Sequence, residues 1–260
     1  MKPDSNNNGQ KNFSAGQQKR YSRHLALAEL GPAGQSRLLN GSILIIGTGG
    51  LGSPAALYSA ASGIGRIGIV DFDIVEISNL QRQIIHTTDT LGIPKVESAA
   101  AAIKALNPDI KVDIYNTRAK ADNLVKLIEP YDLILDCVDN FETKFLINDT
   151  CVMNKKAFVH AGVLQFQGQL FVYKPGTACL RCLFPEQPEH RNIPTGNQVG
   201  VLGAQAGLIG VMQAIEAVKF LSGTGTVLFN SMLSYNSLTN KFNKTVFKKN
   251  RDCPVCSPHH

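Results

Sequence analysis

Four of the six cysteines in this 260-residue chain fall into two CxxC pairs, Cys179/Cys182 and Cys253/Cys256. Two residues between cysteines let both thiolates of a knuckle face one ion, and two knuckles complete a tetrahedral shell. A zinc ion held that way has no open position for a substrate, so the expectation is one structural zinc per chain. A redox pair would open a helix of a thioredoxin-like unit, and no such unit precedes either pair. Disulfides would need an oxidising compartment. The N-terminal stretch MKPDSNNNGQKNFSAGQQ lacks the apolar segment of a signal peptide, and no uninterrupted membrane span is expected, so the chain is read as cytoplasmic. Cys137 and Cys151 lie in apolar surroundings and are expected to pack as small hydrophobes.

The second pattern is GTGGLG, in which Gly47, Gly49 and Gly52 satisfy GxGxxG and Gly50 adds a further glycine. It follows a short apolar run and precedes an alanine-rich one, the setting in which a helix N-terminus offers amides to phosphate. Asp71 ends the next apolar run about 20 residues on, where a carboxylate can accept from ribose hydroxyls. That pattern by itself favours a nicotinamide-dependent oxidoreductase, with a glycine packing turn as the bland alternative. The residues that follow shift the balance. DFDIVEISNLQRQ places Asn79, Arg82 and Gln83 just beyond Asp71 and Asp73, and GIPKVESA places Lys95 at a helix start. Two cations and an amide beside a glycine turn suit a triphosphate better than a dinucleotide. In LDCVDN, Asp139 is a candidate for magnesium, and Asp136 reads as a turn or cap residue.

The elements that must carry these groups alternate. Strands are expected over 42–47, 65–71, 110–115 and 131–136, and helices over 53–62, 96–106 and 121–128. This alternation predicts a mostly parallel sheet covered on both faces. Before it, residues 21–39 read as helical pieces broken at Gly31-Pro32. Beyond about 158 come two strand-like runs, a loop over 184–200, a long helix over 203–221 and a hairpin that delivers the second knuckle to the first. Residues 1–17 read as a disordered tail and 18–257 as one domain. Within it, the nucleotide part covers about 40–157 and the zinc lobe about 158–257.

A net charge of +6 could serve nucleic acid, an acidic protein or a nucleotide triphosphate. The basic residues form no block with interleaved aromatics, only a cluster at Lys241, Lys244, Lys248, Lys249 and Arg251, and tryptophan is absent. Nucleic acid is therefore not the expected partner.

Taken together, GxGGLG, DFD…SNLQRQ, PKVESA, LDCxDN and the two knuckles resemble the MoeB/ThiF family, prokaryotic relatives of ubiquitin-activating enzymes, from about Tyr21 to Cys256. The resemblance implies an α/β, Rossmann-like doubly wound fold. Its mostly parallel sheet would be extended by antiparallel strands, with a C-terminal lobe clipped by the four-cysteine zinc. It also implies a homodimer that uses ATP and Mg2+ to adenylate the C-terminal glycine of a small ubiquitin-like sulfur-carrier protein ending in Gly-Gly. By position, Gly50 would lie against the ATP phosphates and Asp71 would bind ribose. Asn79, Arg82 and Lys95 would hold the triphosphate and Asp139 the Mg2+. Arg23, in YSRHL, would reach across the dimer to complete a catalytic set of Arg23, Arg82, Lys95 and Asp139.

The sequence departs from the family at one point. Members often carry a cysteine in the loop after the first knuckle, able to link covalently to the carrier. Here that loop, FPEQPEHRNIPTGNQVGVLG, has none, and Ile193 or Thr195 occupies the neighbourhood. Sulfur would then come from a separate persulfide donor, since no rhodanese-like segment follows Cys256. Three other readings remain: adenylation of another carboxylate (of a peptide C-terminus or a modified tRNA base), a non-catalytic partner subunit, and the oxidoreductase. Joint presence of Asp71, Arg82, Lys95 and Asp139 disfavours the partner subunit, and neither zinc nor the cation cluster has a role in the oxidoreductase.

Overall fold

Ser14 and Gln17 form a reciprocal capping box, each side chain accepting from the other's backbone N–H at 3.1 Å. It opens α1 (Ala15–Arg20), so helix begins inside the stretch expected to be a disordered tail. The computed structural model describes residues 13–188 and 196–257, and the earlier part of that tail lies outside them. Next come α2 (Ser22–Leu25) and α3 (Gly31–Asn40), and the break expected at Gly31-Pro32 is the start of α3.

The sheet begins with β1 (Ser42–Ile46), followed by α4 (Gly52–Ser62), β2 (Arg66–Asp71), α5 (Lys95–Leu106), β3 (Lys111–Asn116), α6 (Leu124–Ile128) and β4 (Leu133–Asp136). Helix α7 (Phe141–Met153) comes next, where the sequence gives no expectation of one. Its residues carry no clean apolar stripe: Asn140 caps it on Thr143 N (2.9 Å), and its buried residues mix Phe145, Ile147 and Cys151 with Lys144 and Asn148. Then follow β5 (Ala157–Leu164), β6 (Gln167–Tyr173), α8 (Leu180–Leu183), α9 (Gly196–Val199), α10 (Gly203–Ser222), β7 (Ser231–Asn236) and β8 (Lys241–Val246).

These strands make one sheet in the order β3-β2-β1-β4-β5-β6-β7-β8, parallel from β3 to β5 and antiparallel beyond. All five residues of β1 are buried. Ile43 and Ile45 join a core with α4, α5 and α10, while Leu44 and Ile46 join one with α6, α7 and the cysteine-bearing segment. A strand buried on both faces reads as a continuous apolar run, which is why SILII was legible. The chain winds from β1 outward to β3 and then returns to β4, so the crevice between β1 and β4 is the topological switch point. In open α/β sheets ligands bind there, beyond the carboxyl ends of the strands. Helix α10 has the length and composition of a membrane span, yet it packs on α4, β5 and β6 and buries Gln205, Gln213 and Glu216, as a core helix does.

Candidate nucleotide site and four-cysteine centre

The glycine turn sits at that switch point, and its glycines are needed for three different reasons. Gly47 has φ +92°, and a β-carbon on it would meet the Cys137 carbonyl at 2.9 Å. On Gly52 a β-carbon would strike the Gly47 carbonyl oxygen. Gly50 faces outward from the turn, where a β-carbon would approach Ala206 Cβ at 3.1 Å and Arg82 Cγ at 3.4 Å. The turn thus packs against β4's loop, itself, and the first turn of α10.

Two side chains, the partly exposed Asp71 and the buried His86, hold Thr48 in roles that the sequence does not foretell. Asp71 Oδ2 accepts from Thr48 N (2.8 Å) and Thr48 Oγ1 (2.9 Å). His86 Nε2 donates to Thr48 O at 3.1 Å, and its Nδ1 accepts from Ser98 Oγ at 2.9 Å. Because a carbonyl only accepts, this network assigns the Nε2–H tautomer. Burial pushes the His86 pKa below its ordinary value, which keeps the ring neutral for this role. Asp71 Oδ1 accepts from Phe72 N and Asp73 N at 2.8 and 3.1 Å, so one oxygen braces the glycine turn and the other its own loop, with all four acceptor positions used. A ribose hydroxyl would have to share that outer oxygen.

Around the turn the structure gathers most of the residues singled out above. Arg82 packs its stem on Gly50 and donates from Nη1 to Ser78 O at 3.2 Å. Asn79 O receives Arg82 N (3.1 Å) and Gln83 N (2.9 Å), which fixes the bend that turns both side chains inward. Gln83 is buried beside Gly49, and its Oε1 has no partner among the described residues: an unspent acceptor at the turn. Lys95 is buried at the start of α5 and pairs with Asp73 Oδ2 at 3.0 Å. The cations, amides and glycine cradle fit a polyphosphate at this place.

Asp139 is exposed three residues beyond β4, next to the Cys137–Val138 peptide on which Gly47 rests. Asp136 departs from its turn-or-cap reading. It does accept from Val138 N at 3.3 Å, but it is fully buried and pairs with Lys144 Nζ (3.1 Å) and His160 Nδ1 (2.8 Å). Neither partner was visible in the sequence, because Lys144 lies on the missed helix and His160 on the neighbouring strand β5, directly opposite Asp136, a pairing that only the sheet register sets. Cys137 and Cys151 are buried, as expected of small apolar packers, and burial raises both thiols far above the usual range.

Arg23 does not join this group. It is exposed on α2, next to Tyr21, whose hydroxyl accepts from Asn107 Nδ2 at 2.9 Å and whose ring abuts Gly63. Gly63 ends α4, and the 11 residues of that helix put it about 16 Å from the turn.

The four cysteines do converge. Cys179 Sγ lies 4.0 Å from Cys182 and 3.6 Å from Cys253, Cys182 lies 3.4 Å from Cys256, and all four sulfurs fall within 4.8 Å of one another. Tetrahedral zinc–sulfur bonds of about 2.3 Å require sulfurs about 3.8 Å apart, so the donor set fits such an ion. The hydrogen bond with Cys179 draws the Cys182 thiol down to about 5, while that same contact, burial and the neighbouring sulfurs push Cys179 up. Four sulfurs this close cannot all ionise without a cation among them. Helix α7 supports the first knuckle: Asn148 Oδ1 accepts from Leu180 N at 2.8 Å, and Asp149 pairs with Arg181 through Nε and Nη2 at 2.8 Å each. Ile193 and Thr195, named for the missing loop cysteine, lie outside the described residues.

Compared with known proteins, residues 21–255 match the ThiF family. The chain is 43% identical over 244 residues to the SAMP-activating enzyme E1 of Haloferax volcanii, covering 94% of this chain and 90% of that protein. It is 40% identical over 243 residues to the sulfur carrier protein adenylyltransferase of Thermus thermophilus, covering 91% and 90%. Against the adenylyltransferase and sulfurtransferase MOCS3 of Aedes aegypti the identity is 43%, covering 92% of this chain and 55% of that protein. The crystal structure of E. coli MccB with ATP superposes with a TM-score of 0.82 at 24% identity over 92% of this chain and 74% of that one, a likeness of fold.

Proposed function

Since the chain belongs to the ThiF family, we propose that it is an ATP-dependent adenylyltransferase acting on a small ubiquitin-like sulfur-carrier protein. It activates the carrier's C-terminal glycine carboxylate as an acyl-adenylate, preparing a thiocarboxylate of the molybdopterin or thiamine type. One observation carries this reading: 43% identity along 90% of a SAMP-activating enzyme, with the cation-flanked glycine turn at the switch point as its physical counterpart.

In this reaction a carboxylate oxygen bonds to the α-phosphorus, the bond to the β-phosphate's bridging oxygen breaks, and pyrophosphate leaves. The nucleophile is already ionised at neutral pH, so no general base is needed. Negative charge builds on the phosphoryl oxygens, and fixed cations stabilise it more than they stabilise bound ATP. Arg82 and Lys95 occupy suitable places, with the amides of the turn and Asn79 and Gln83 beside them. Asp139 would hold Mg2+, which supplies further neutralising charge when bound. The four cysteines would hold a structural zinc.

Arg23 is at the remote end of its own α4, which favours a homodimer in which it serves the partner's site. We read residues 18–257 as one functional unit, with the nucleotide part before about 158 and the carrier-binding lobe after it. The sequence has no cysteine in the loop after the first knuckle. The carrier would therefore stay a non-covalent acyl-adenylate until a separate persulfide donor acts, in the cytoplasm. The test is ATP–pyrophosphate exchange with a carrier ending in Gly-Gly. Exchange should require the carrier and vanish when its last glycine is removed. Carrier-independent exchange, or tighter binding of NADH than of ATP, would overturn the assignment.

A further inference from the structure

Asp139 lies on a short loop with a fixed point on each side. On one side, the Val138 amide donates to Asp136 Oδ1 at 3.3 Å; on the other, Asn140 caps α7 through Thr143 N at 2.9 Å. Each fixed point leads to the same buried group. Asp136 Oδ1 also accepts from Lys144 Nζ, which in turn donates to Ala161 O, and Oδ2 accepts from His160 Nδ1. Lys144 belongs to the first turns of α7, the helix that Asn140 caps. Gln213 of α10 closes the assembly from above by donating Nε2–H to Asp136 O at 2.9 Å.

Charges in a core are an expensive way to gain cohesion, because apolar residues of similar volume would stabilise this place at least as well. What paired, hydrogen-bonded charges supply is a single geometry. Burial opposes ionisation of Asp136, but the Lys144 charge and the His160 contact outweigh it and hold the carboxyl below its usual range. Burial keeps His160 neutral, so Nδ1–H is the donor.

We infer that Asp136, Lys144 and His160 form a buried clamp that fixes the 138–140 loop and so positions the Asp139 carboxylate toward the magnesium of bound ATP. They are positioning residues that touch neither nucleotide nor carrier. This rests on the reading of Asp139 as the magnesium-binding group. The clamp plays the part of an outer shell, whose loss in other metal sites costs about 10- to 100-fold in metal affinity.

The experiment compares the full chain with Asp139→Asn, the charge-neutral pair Asp136→Asn/Lys144→Met, and His160→Phe. It measures the Mg2+ concentration for half-maximal pyrophosphate exchange, together with calorimetric affinity for ATP in the absence of metal. The clamp variants should bind metal-free ATP as the native chain does, yet need about tenfold more Mg2+. Merely loosened packing would weaken both. His160→Phe removes one donor without orphaning a charge, and it carries the test if the double variant does not fold. A native Mg2+ requirement in folded clamp variants, while Asp139→Asn raises it, would overturn the clamp alone. An unchanged requirement in Asp139→Asn would remove the magnesium role of Asp139 and the clamp's purpose with it.

Discussion

The β-carbon of Ala206 lies 3.1 Å from the place a β-carbon on Gly50 would occupy. One belongs to the first turn of α10 and the other to the turn after β1, so two segments far apart in sequence meet at van der Waals distance. Arg82 Cγ and Cδ lie 3.4 and 3.5 Å from that same place.

This contact makes Gly50 a spacing residue. Gly50→Ala needs a shift of a few tenths of an ångström in Ala206, whereas the branched side chain of Gly50→Val must displace either α10 or Arg82. ATP affinity measured by calorimetry should fall by about tenfold or more in Gly50→Val and by less in Gly50→Ala. Because Gly50 is only partly buried, the thermal midpoint should move little in either variant.

The cysteine centre predicts one zinc per chain by elemental analysis. Chelation should release α8 and the segment around Cys253 first, since these two segments, distant in sequence, meet at the four sulfurs. Hydrogen exchange after chelation should rise there before it rises in β1 and the glycine turn. Simultaneous exchange in both regions would make the centre part of the nucleotide core rather than a clip on the C-terminal lobe.

For Arg23 the expectation is complementation between subunits. Arg23→Ala and Lys95→Ala should each lower turnover by orders of magnitude. In mixed dimers one of the two sites regains both groups, so activity should return toward half that of the native dimer. Verified mixed dimers that stay inactive would place Arg23 outside the partner's site.

Two buried neutral histidines give the fold an acid-sensitive window. Burial lowers the folded pKa of both His86 and His160 beneath the ordinary 6.5. As pH falls through 6.5 the unfolded chain takes up protons that the folded chain refuses. Unfolding free energy therefore drops with pH, by at most about 1.4 kcal/mol per pH unit for each histidine. The loss begins near neutrality and ends at the folded pKa. The lowered Asp136 adds a separate loss below about pH 4. Denaturant titrations between pH 7.5 and 5 should show the slope, and His86→Gln should flatten it while raising the Kd for ATP through the lost hold on Thr48. An unchanged slope in that variant would mean that His86 carries a proton in the folded state.

Much of the candidate nucleotide site was legible in the chain because its residues are local. The run SILII, the glycines, Asp71, the Asn79–Gln83 bend and Lys95 lie within about 55 residues, and their chemistry follows from type and spacing. The two CxxC pairs were legible because two residues between thiols set the geometry wherever the pairs fall. The tertiary structure alone decided what depends on meetings between distant segments. Asp136 looked like a turn residue until α7 and β5 brought Lys144 and His160 to it; no periodicity marks those partners, because α7 buries Lys144 and Asn148 among its apolar Phe145, Ile147 and Cys151 and so shows no clean stripe. His86 was silent for the same reason: its work is done on the Thr48 carbonyl, 38 positions earlier. Arg23 shows the reverse case, a residue whose motif points to the site while the packing of Tyr21 on Gly63 holds it at the opposite end of α4. Sequence patterns determine backbone propensity and local chemistry, and only packing fixes which buried polar group finds which partner.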